Sequence, residues 1–549
     1  MEAQLIKNHI EVSGCFREKD QIKGITGRKW DPRKKAWKIP VTTEAINAIQ
    51  NLAWPDKLDP KIEQEYNRLQ AIQANTQEMK SAAKIKPIEP MPIKIKPYQH
   101  QIKGYNLGLI NPSFALLAEM GTGKSLTAVA IASRRYQRGE VRRLLVVAPT
   151  SVCPVWPEEF EAATIQYAVQ VLQGPTKKRL EKLKNFSSQG LQVAVINYEA
   201  TWRMVDELKE WEPDMIIADE SQRIKNHAAQ QSKAMHKLGK VAKYKLILTG
   251  TPVQKAPLDF FSQYKFLNPS IFGGSYYAFR NRYAVMGGYG GHEVVSYQHL
   301  DELTKKAHSI AYRVTKKEAL DLPPQLPPEY RYCTLEPKAR KLYDDIRKNS
   351  YAELKNGEIT ATNVLTRLLR LQQATGGFID TDDGSLKQIS EAKLTVLRET
   401  VEDLIVAGKK VVIFARFRPE IAAIQKMLEG MKVRYSWIAG DVPTKDRGKK
   451  VKEFQEDAGC MAFVAQIQTA GLGITLHAAD TAVFYSVDFN YANYEQARAR
   501  IHRIGQIHPC TYIHILAEDT IDRHVLDVLE KKENMARKLV DDWEEFFKK

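Results

Sequence analysis

Arg500 and Arg503, in the string QARARIHRIGQ (496–506), stand three residues apart, the spacing of one helix face, with Gln496 one turn earlier. A mostly basic face ending at Gly505 is odd for a core helix. It suits either solvent or an anion, and arginine is well matched to the charge spread over the oxygens of a phosphoryl group in transfer. A source for that anion lies upstream. AEMGTGKS (118–125) follows the apolar SFALL and precedes LTAVAIASRR, which reads as strand, glycine loop and helix. Gly121 and Gly123 let backbone N–H groups approach phosphate oxygens, and the helix N-terminus adds a favourable dipole. Lys124 is expected to reach the β- and γ-phosphates and Ser125 to hold Mg²⁺, while Met120, Thr122 and Leu126 complete the nucleotide loop. Ala118 stands where the usual phosphate-loop pattern has its first glycine.

Two carboxylates, Asp219 and Glu220, close the apolar run MIIA. A buried strand ending this way is costly unless its charges are paired or bound to metal. Asp219 is placed to hold Mg²⁺, directly or through water, and Glu220 to orient and deprotonate an attacking water. LTGTP (248–252) is a second strand end running into a polar turn, where Thr249 and Thr251 can pass hydrogen bonds from the nucleotide to the rest of its lobe. Gln99, in KPYQ, carries the paired donor and acceptor that read adenine.

The elements that must position these groups show in the hydropathy pattern. LLVVAP (144–149), VAVINY (193–198), MIIADE (215–220) and KLILTG (245–250) are short apolar runs between helical stretches, as expected of strands buried on both faces of a parallel sheet. A second set follows the DLPPQLPP stretch at Asp321: KKVVIFA (409–415), RYSWIAG (434–440), MAFVAQ (461–466), TAVFYSV (481–487) and TYIHILA (511–517). The fold class is therefore α/β, two doubly wound parallel-sheet lobes in tandem, at 94–322 and 323–549, the second ending in a helical, charged brace. Residues 1–54 read as a small α+β module of short strands and turns. Residues 55–93 read as a linker, with Ile62, Tyr66, Leu69 and Ile72 at helical spacing before the proline-rich IKPIEPMPIKIKP.

The chain has 549 residues and a net charge of +17, an excess that points to a polyanionic partner, most often nucleic acid. Five scattered cysteines offer neither a disulfide framework nor a zinc site. No run approaches the ~18 apolar residues of a membrane helix, so no membrane partner is expected.

The ordered set KPYQ, AEMGTGKS, VVAPTSV, INYE, DESQRIKN, LTGTP, YRVTKKEALDLPP, VVIFARF, TAGLGITLHAAD and QARARIHRIGQ resembles the Swi/Snf family of superfamily-two DNA translocases, from residue 95 to about 530. The resemblance implies two RecA-like lobes that hydrolyse ATP with Mg²⁺ and track along double-stranded DNA. It assigns ATP and catalytic roles to Gln99, Lys124, Ser125, Asp219 and Glu220 from the first lobe. From the second it assigns Gln496, Arg500 and Arg503, the glutamine and arginine-finger positions, with Gly473 also on the nucleotide. Gln222, Thr249 and Thr251 fall at coupling positions. Thr150 and Ser151 match a backbone-phosphate contact, and Thr469 and Gly471 a DNA-contacting motif of the second lobe. Departures are Gln222 for a usual His, Gln466 for Ser, Ala499 for an acid and Phe489 for Trp; none removes a group that touches the nucleotide.

In the N-terminal module Trp30, Asp31, Lys35 and Trp37, followed by Ile39 and Pro40, resemble the substrate-recognition module of HepA-related annealing translocases, which act at forked or branched DNA, and Arg28, Lys29, Arg33, Lys34 and Lys35 interleave with the two tryptophans. Basic residues interleaved with tryptophan suit phosphate contacts plus base stacking. The expected protein is a DNA-dependent ATPase acting as a monomer on double-stranded, forked or branched DNA. It would be cytoplasmic and nucleoid-associated in a bacterium or virus, nuclear in a eukaryote. A strand-separating helicase, a restriction-type motor subunit and a DNA-binding scaffold with a decayed ATPase are the alternatives.

Overall fold

A computed structural model of the chain describes all residues except 7–8, 16, 26, 53–57, 83, 187–188, 255, 289, 291–292, 320–321, 356–360, 381–385, 473, 504 and 541–549. The N-terminal residues form a four-stranded antiparallel sheet in which Glu2–Ile6, His9–Ser13, Ala36–Pro40 and Lys29–Asp31 lie in that order. Helix Thr43–Gln50, capped by the Thr42 hydroxyl, packs Ile46 and Ile49 onto Ile10, Val12 and Ile39. Helix Pro60–Ser81 follows, capped by Asp59. Of its apolar stripe Ile62 is fully buried, and Tyr66 and Leu69 pack partly against the module's core.

The apolar runs do become strands buried on both faces. In the first α/β sheet the order is Ala311–Val314, Ser113–Ala118, Tyr244–Leu248, Met215–Asp219, Arg143–Ala148, Leu191–Asn197 and Tyr167–Val171. Every pairing is parallel. Helix Lys124–Gln137 buries Ala128, Val129 and Ile131 against this sheet. The second sheet is also parallel throughout. Its order is Glu329–Cys333, Thr511–Ala517, Thr481–Phe484, Val411–Ala415, Ala462–Gln466 and Tyr435–Ile438. The chain accordingly divides into two compact units, one holding residues 1–119 and 123–319 with the described end of the chain from 536, the other 120–122 and 320–535. Helix Ile521–Val540 forms the charged C-terminal segment.

Candidate ATP site and its two half-sets of residues

In an open parallel sheet the ligand side is the carboxyl end of the strands. Four adjacent strands of the first sheet end there in the residues singled out by type. Ser113–Ala118 leads into the glycine loop, Tyr244–Leu248 into Thr249 and Thr251, Met215–Asp219 into Glu220, and Arg143–Ala148 into Thr150 and Ser151.

The loop between Ala118 and Lys124 holds Met120, Gly121, Thr122 and Gly123. Gly121 and Gly123 have φ of +84° and +79°, left-handed values that favour glycine. A Cβ on Gly123 would also collide with Gln101 Nε2. The helix that follows has no side-chain cap, so its first N–H groups, at Lys124, Ser125 and Leu126, are left for an anion. Lys124 Nζ donates to the Glu119 carbonyl at 3.3 Å. Burial lowers its pKa, and the charges of Glu220 and Asp219 work the other way.

Asp219 accepts from the Glu220 N–H at 2.9 Å and from Trp156 Nε1 at 3.3 Å. Burial, then the neighbouring Glu220 charge, pushes its carboxyl up to about 7, with Lys124 opposing. Glu220 itself stands at φ +50°, a strained conformation for a non-glycine residue. Its carboxylate accepts from Gln222 Nε2 at 2.6 Å; Gln222 Oε1 accepts from Thr249 Oγ1 at 2.7 Å; Thr249 Oγ1 accepts from the Thr251 N–H at 3.0 Å. The three coupling candidates thus join Glu220 in one hydrogen-bonded relay. The Thr251 hydroxyl is buried with no partner among the described residues. The hard oxygen donors Ser125 and Asp219 suit Mg²⁺, and the orphaned Thr251 hydroxyl fits a phosphate-bearing ligand beside them.

Gln99 stands apart from this group: its Oε1 accepts from the Ile85 N–H at 3.0 Å. The glutamine beside the glycine loop is Gln101, which also caps its own helix by accepting from the Tyr98 N–H at 2.9 Å. Gln101 is the third helical residue after the N-cap Tyr98, the position from which a Gln side chain reaches back to the N-cap N–H. Arg313 was likewise unread within YRVTKKEALDLPP. Its guanidinium donates to the carbonyls of Leu117 at 3.1 Å and Gly250 at 3.2 Å and to Glu119 Oε1 at 3.2 Å, tying the entry of the glycine loop to the LTGTP turn. A lone arginine inside an otherwise apolar strand is the signal that could have found it. Thr150 Oγ1 lies 3.4 Å from Glu199 Oε2, in the turn it shares with Ser151.

In the second unit the arginine string is not one helix. The helix Tyr491–Arg498, which contains Gln496, stops before both arginines. The chain then tightens into i to i+3 turns, Arg500 N–H to Ala497 O at 3.1 Å and Gln506 N–H to Arg503 O at 3.0 Å. Even so Arg500 and Arg503 converge, donating to the same Ile474 carbonyl at 3.3 and 3.2 Å. Gly505, at φ +99°, leaves room for the His477 ring. Gln506 donates to the carbonyls of His477, Ala479 and Ile501. His502 bonds the Pro323 carbonyl at 2.9 Å and Gln325 at 2.8 Å, anchoring the string to the DLPPQLPP stretch. Thr469 and Gly471 lie in the turn Ile467–Leu472 after the strand Ala462–Gln466, with Thr469 Oγ1 on the Gln466 carbonyl. Gly473 lies outside the described residues, as do Leu320 and Asp321.

On the N-terminal sheet Trp30 is 48% exposed and tilts against Trp37 at a centroid distance of 5.1 Å. Trp37 packs partly on the module's core. Arg28 donates to the Ile25 carbonyl, and Lys35 takes φ +48° in the turn between the two tryptophan strands.

The helicase conserved C-terminal domain matches residues 392–505, which sets the class as that of the superfamily-two ATPases. The SNF2-related domain matches residues 93–376, more than half of the chain, and the chain belongs to that family. It is 26% identical over 456 residues to an uncharacterized ATP-dependent helicase of Mycoplasma pneumoniae, covering 82% of this chain and 42% of that one. To the DNA annealing helicase and endonuclease ZRANB3 of Mus musculus it is 27% identical over 431 residues, 75% of this chain and 38% of the other. Among solved structures it is similar to the Sulfolobus solfataricus SWI2/SNF2 ATPase core in complex with dsDNA, at 24% identity and TM-score 0.40, covering 83% of this chain and 95% of that one. The chain spans about two-fifths of the length of the curated relatives it matches first. Among the described residues no helix is long and apolar enough to cross a membrane.

Proposed function

We propose that the chain hydrolyses Mg²⁺–ATP in response to DNA and uses the cycle to move along double-stranded DNA, remodelling forked or branched DNA or displacing bound proteins. The observation that carries this reading is the relay from Glu220 through Gln222 and Thr249 to Thr251. It leads from the group suited to activate water to a turn that can report the state of the nucleotide. Lys124 and the loop N–H groups bind the phosphates, and Glu220 orients and takes a proton from the attacking water. Mg²⁺, held through Ser125 and Asp219, would neutralise phosphate charge as the terminal group leaves. Arg500 and Arg503 stabilise the charge on the transferred group, a role supported by their shared anchor at Ile474.

Within this reading the lobes are residues 94–322 and 323–549, and residues 1–54 recognise the substrate. Thr150, Ser151, Thr469 and Gly471 grip the DNA backbone. The SNF2-related family and the annealing-helicase relative support DNA as the partner, as does the +17 charge. The reading takes the active species as a monomer.

The test is ATP hydrolysis with and without duplex DNA, together with displacement of a third strand from a triplex. Stimulation by duplex and third-strand displacement are expected, both lost in Lys124→Ala and Arg503→Ala. Undiminished turnover in either variant refutes the site, and efficient unwinding of a plain duplex favours a strand-separating helicase.

A further inference from the structure

Between Arg223 and Val285 the chain carries eleven lysines and arginines against a single acid, Asp259. That stretch supplies +10 of the whole chain's +17, so the basic excess is concentrated in one part of the first unit. Two of these cations are used internally, Lys225 on Gln254 and Lys245 on the Gly239 carbonyl, and Arg282 pairs with Glu302. Lys233, Lys237, Lys240 and Lys243 are exposed along and just beyond the helix Gln230–Leu238. Lys265 is half-buried and donates to the Gly274 carbonyl.

Lys265 Nζ lies 5.5 Å from the centroid of the Phe261 ring, and after burial the charge of Lys240 bears most on Lys265, and those of Lys265 and Lys233 on His227. Among the described residues none of Lys233, Lys240 and Lys265 has a carboxylate within ion-pair distance. Like charges gathered without counter-charge repel, and such a cluster is suited to a polyanion.

Rings are interleaved with the cations. His227 stacks on Tyr276 with centroids 3.7 Å apart, and Phe261 meets both rings edge-on. Tyr277, 67% exposed, offers one face to Arg280 at 5.3 Å. A duplex keeps its base faces stacked inside and offers none to these rings, whereas an unpaired strand presents them.

We propose that Lys233, Lys240, Lys265 and Tyr277 of the first lobe form one surface that binds an unpaired DNA strand. The inference rests on reading the chain as a DNA motor. It names the single-stranded arm of a fork as what this face of the lobe holds.

The experiment uses the full chain without nucleotide. Fluorescence anisotropy compares a fork bearing one single-stranded arm with a blunt duplex, each over a salt series, for wild type, Lys233→Glu/Lys240→Glu and Tyr277→Ala. The double reversal is expected to weaken fork binding about tenfold or more and to flatten its salt dependence by a slope of at least about 1, since each lost phosphate contact on a single strand removes ~0.7. Tyr277→Ala is expected to weaken fork binding severalfold at every salt concentration, as loss of a stacked base does. Blunt-duplex affinity and blunt-duplex-stimulated ATP hydrolysis are expected to hold in both variants. Wild-type fork affinity in the double variant overturns the surface, and equal losses on fork and blunt duplex overturn its assignment to an unpaired strand. Lack of ATPase stimulation by any DNA would instead strike the motor reading, and the two failures are read on separate assays.

Discussion

Replacing Thr249 by valine cuts the relay at its centre while nearly preserving shape. Thr249 is fully buried, and its hydroxyl donates to Gln222 Oε1 at 2.7 Å and accepts from the Thr251 N–H at 3.0 Å. Valine leaves one acceptor and one donor unmatched in the interior. At ~1–3 kcal/mol for each such group, partly relieved by rotation of Gln222, the first unit should lose about 2–4 kcal/mol of stability. The functional effect arises one bond further on. Gln222, no longer held, ceases to fix the Glu220 carboxylate that it contacts at 2.6 Å. Loss of one hydrogen bond to a charged group, ~1.5–3 kcal/mol, corresponds to roughly a 10–100-fold fall in kcat. KM for ATP should stay nearly constant, because the relay does not include the glycine loop. Steady-state ATP hydrolysis at saturating duplex DNA gives both constants. Thr249→Ser, which keeps the hydroxyl, should retain most of the rate. Adding Thr249→Val to Gln222→Ala should cost little more than Gln222→Ala alone, since the two act as one unit. An unchanged kcat in folded Thr249→Val, or fully additive losses in the double variant, would refute the relay.

Arg313→Lys should raise KM for ATP severalfold and lower the melting temperature, because an ammonium cannot serve Leu117 O, Gly250 O and Glu119 together in the geometry of a planar fork; a nucleotide-binding titration and a melting curve check it. Gly123→Ala should weaken nucleotide binding about 5–30-fold in the same titration, since the left-handed φ costs about 1–2 kcal/mol and the new Cβ displaces the tip of Gln101. Glu420→Gln tests the second unit by pH. The Glu420 carboxyl is fully buried, accepts from the N–H groups of Arg416 and Phe417, and is pushed up to about 7 by burial. A folded pKa above the unfolded value means no penalty below about pH 4.5, a penalty that grows toward pH 7, and a constant one above. The variant should therefore melt higher than wild type at pH 8 and no higher at pH 4.5; equal effects at both pH values would sink the assignment.

The central strands are legible in the sequence because burial on both faces leaves a continuous apolar run, as in VAVINY within Leu191–Asn197. The strands that leave no such run are edges. Ala311–Val314 and Tyr167–Val171 close the first sheet, and Glu329–Cys333 lies at one edge of the second. Each has one side open, so it carries residues such as Tyr167, Gln170, Arg313 and Glu329 that break the pattern. The same distinction governs the site. The glycine loop and the Asp219–Glu220 pair are contiguous, and their chemistry is readable locally. The partners that orient them come from far along the chain: Arg313 reaches Leu117 and Glu119 across nearly 200 residues. The helical spacing of Arg500 and Arg503 was a true sign of a shared target and a false sign of a helix. A chain that leaves the helix in tight turns at 497–500 and 503–506 still brings their guanidinium groups to one carbonyl.

Breaches of ordinary folding rules also locate the site, but only in combination. Among the described residues six non-glycine positions have left-handed φ, and Lys35 and Glu212 show that exposed turns account for some of them. Glu220 differs because it directly follows a fully buried strand end, next to a carboxyl that burial drives up to about 7. The relay that holds it runs to Thr251, whose buried hydroxyl lacks a partner among the described residues. Strain, a buried charge and an orphaned polar atom on neighbouring strand ends each oppose folding. A phosphate-bearing ligand with its cation would relieve the second and third together, which explains why a stable sheet keeps all three in one place.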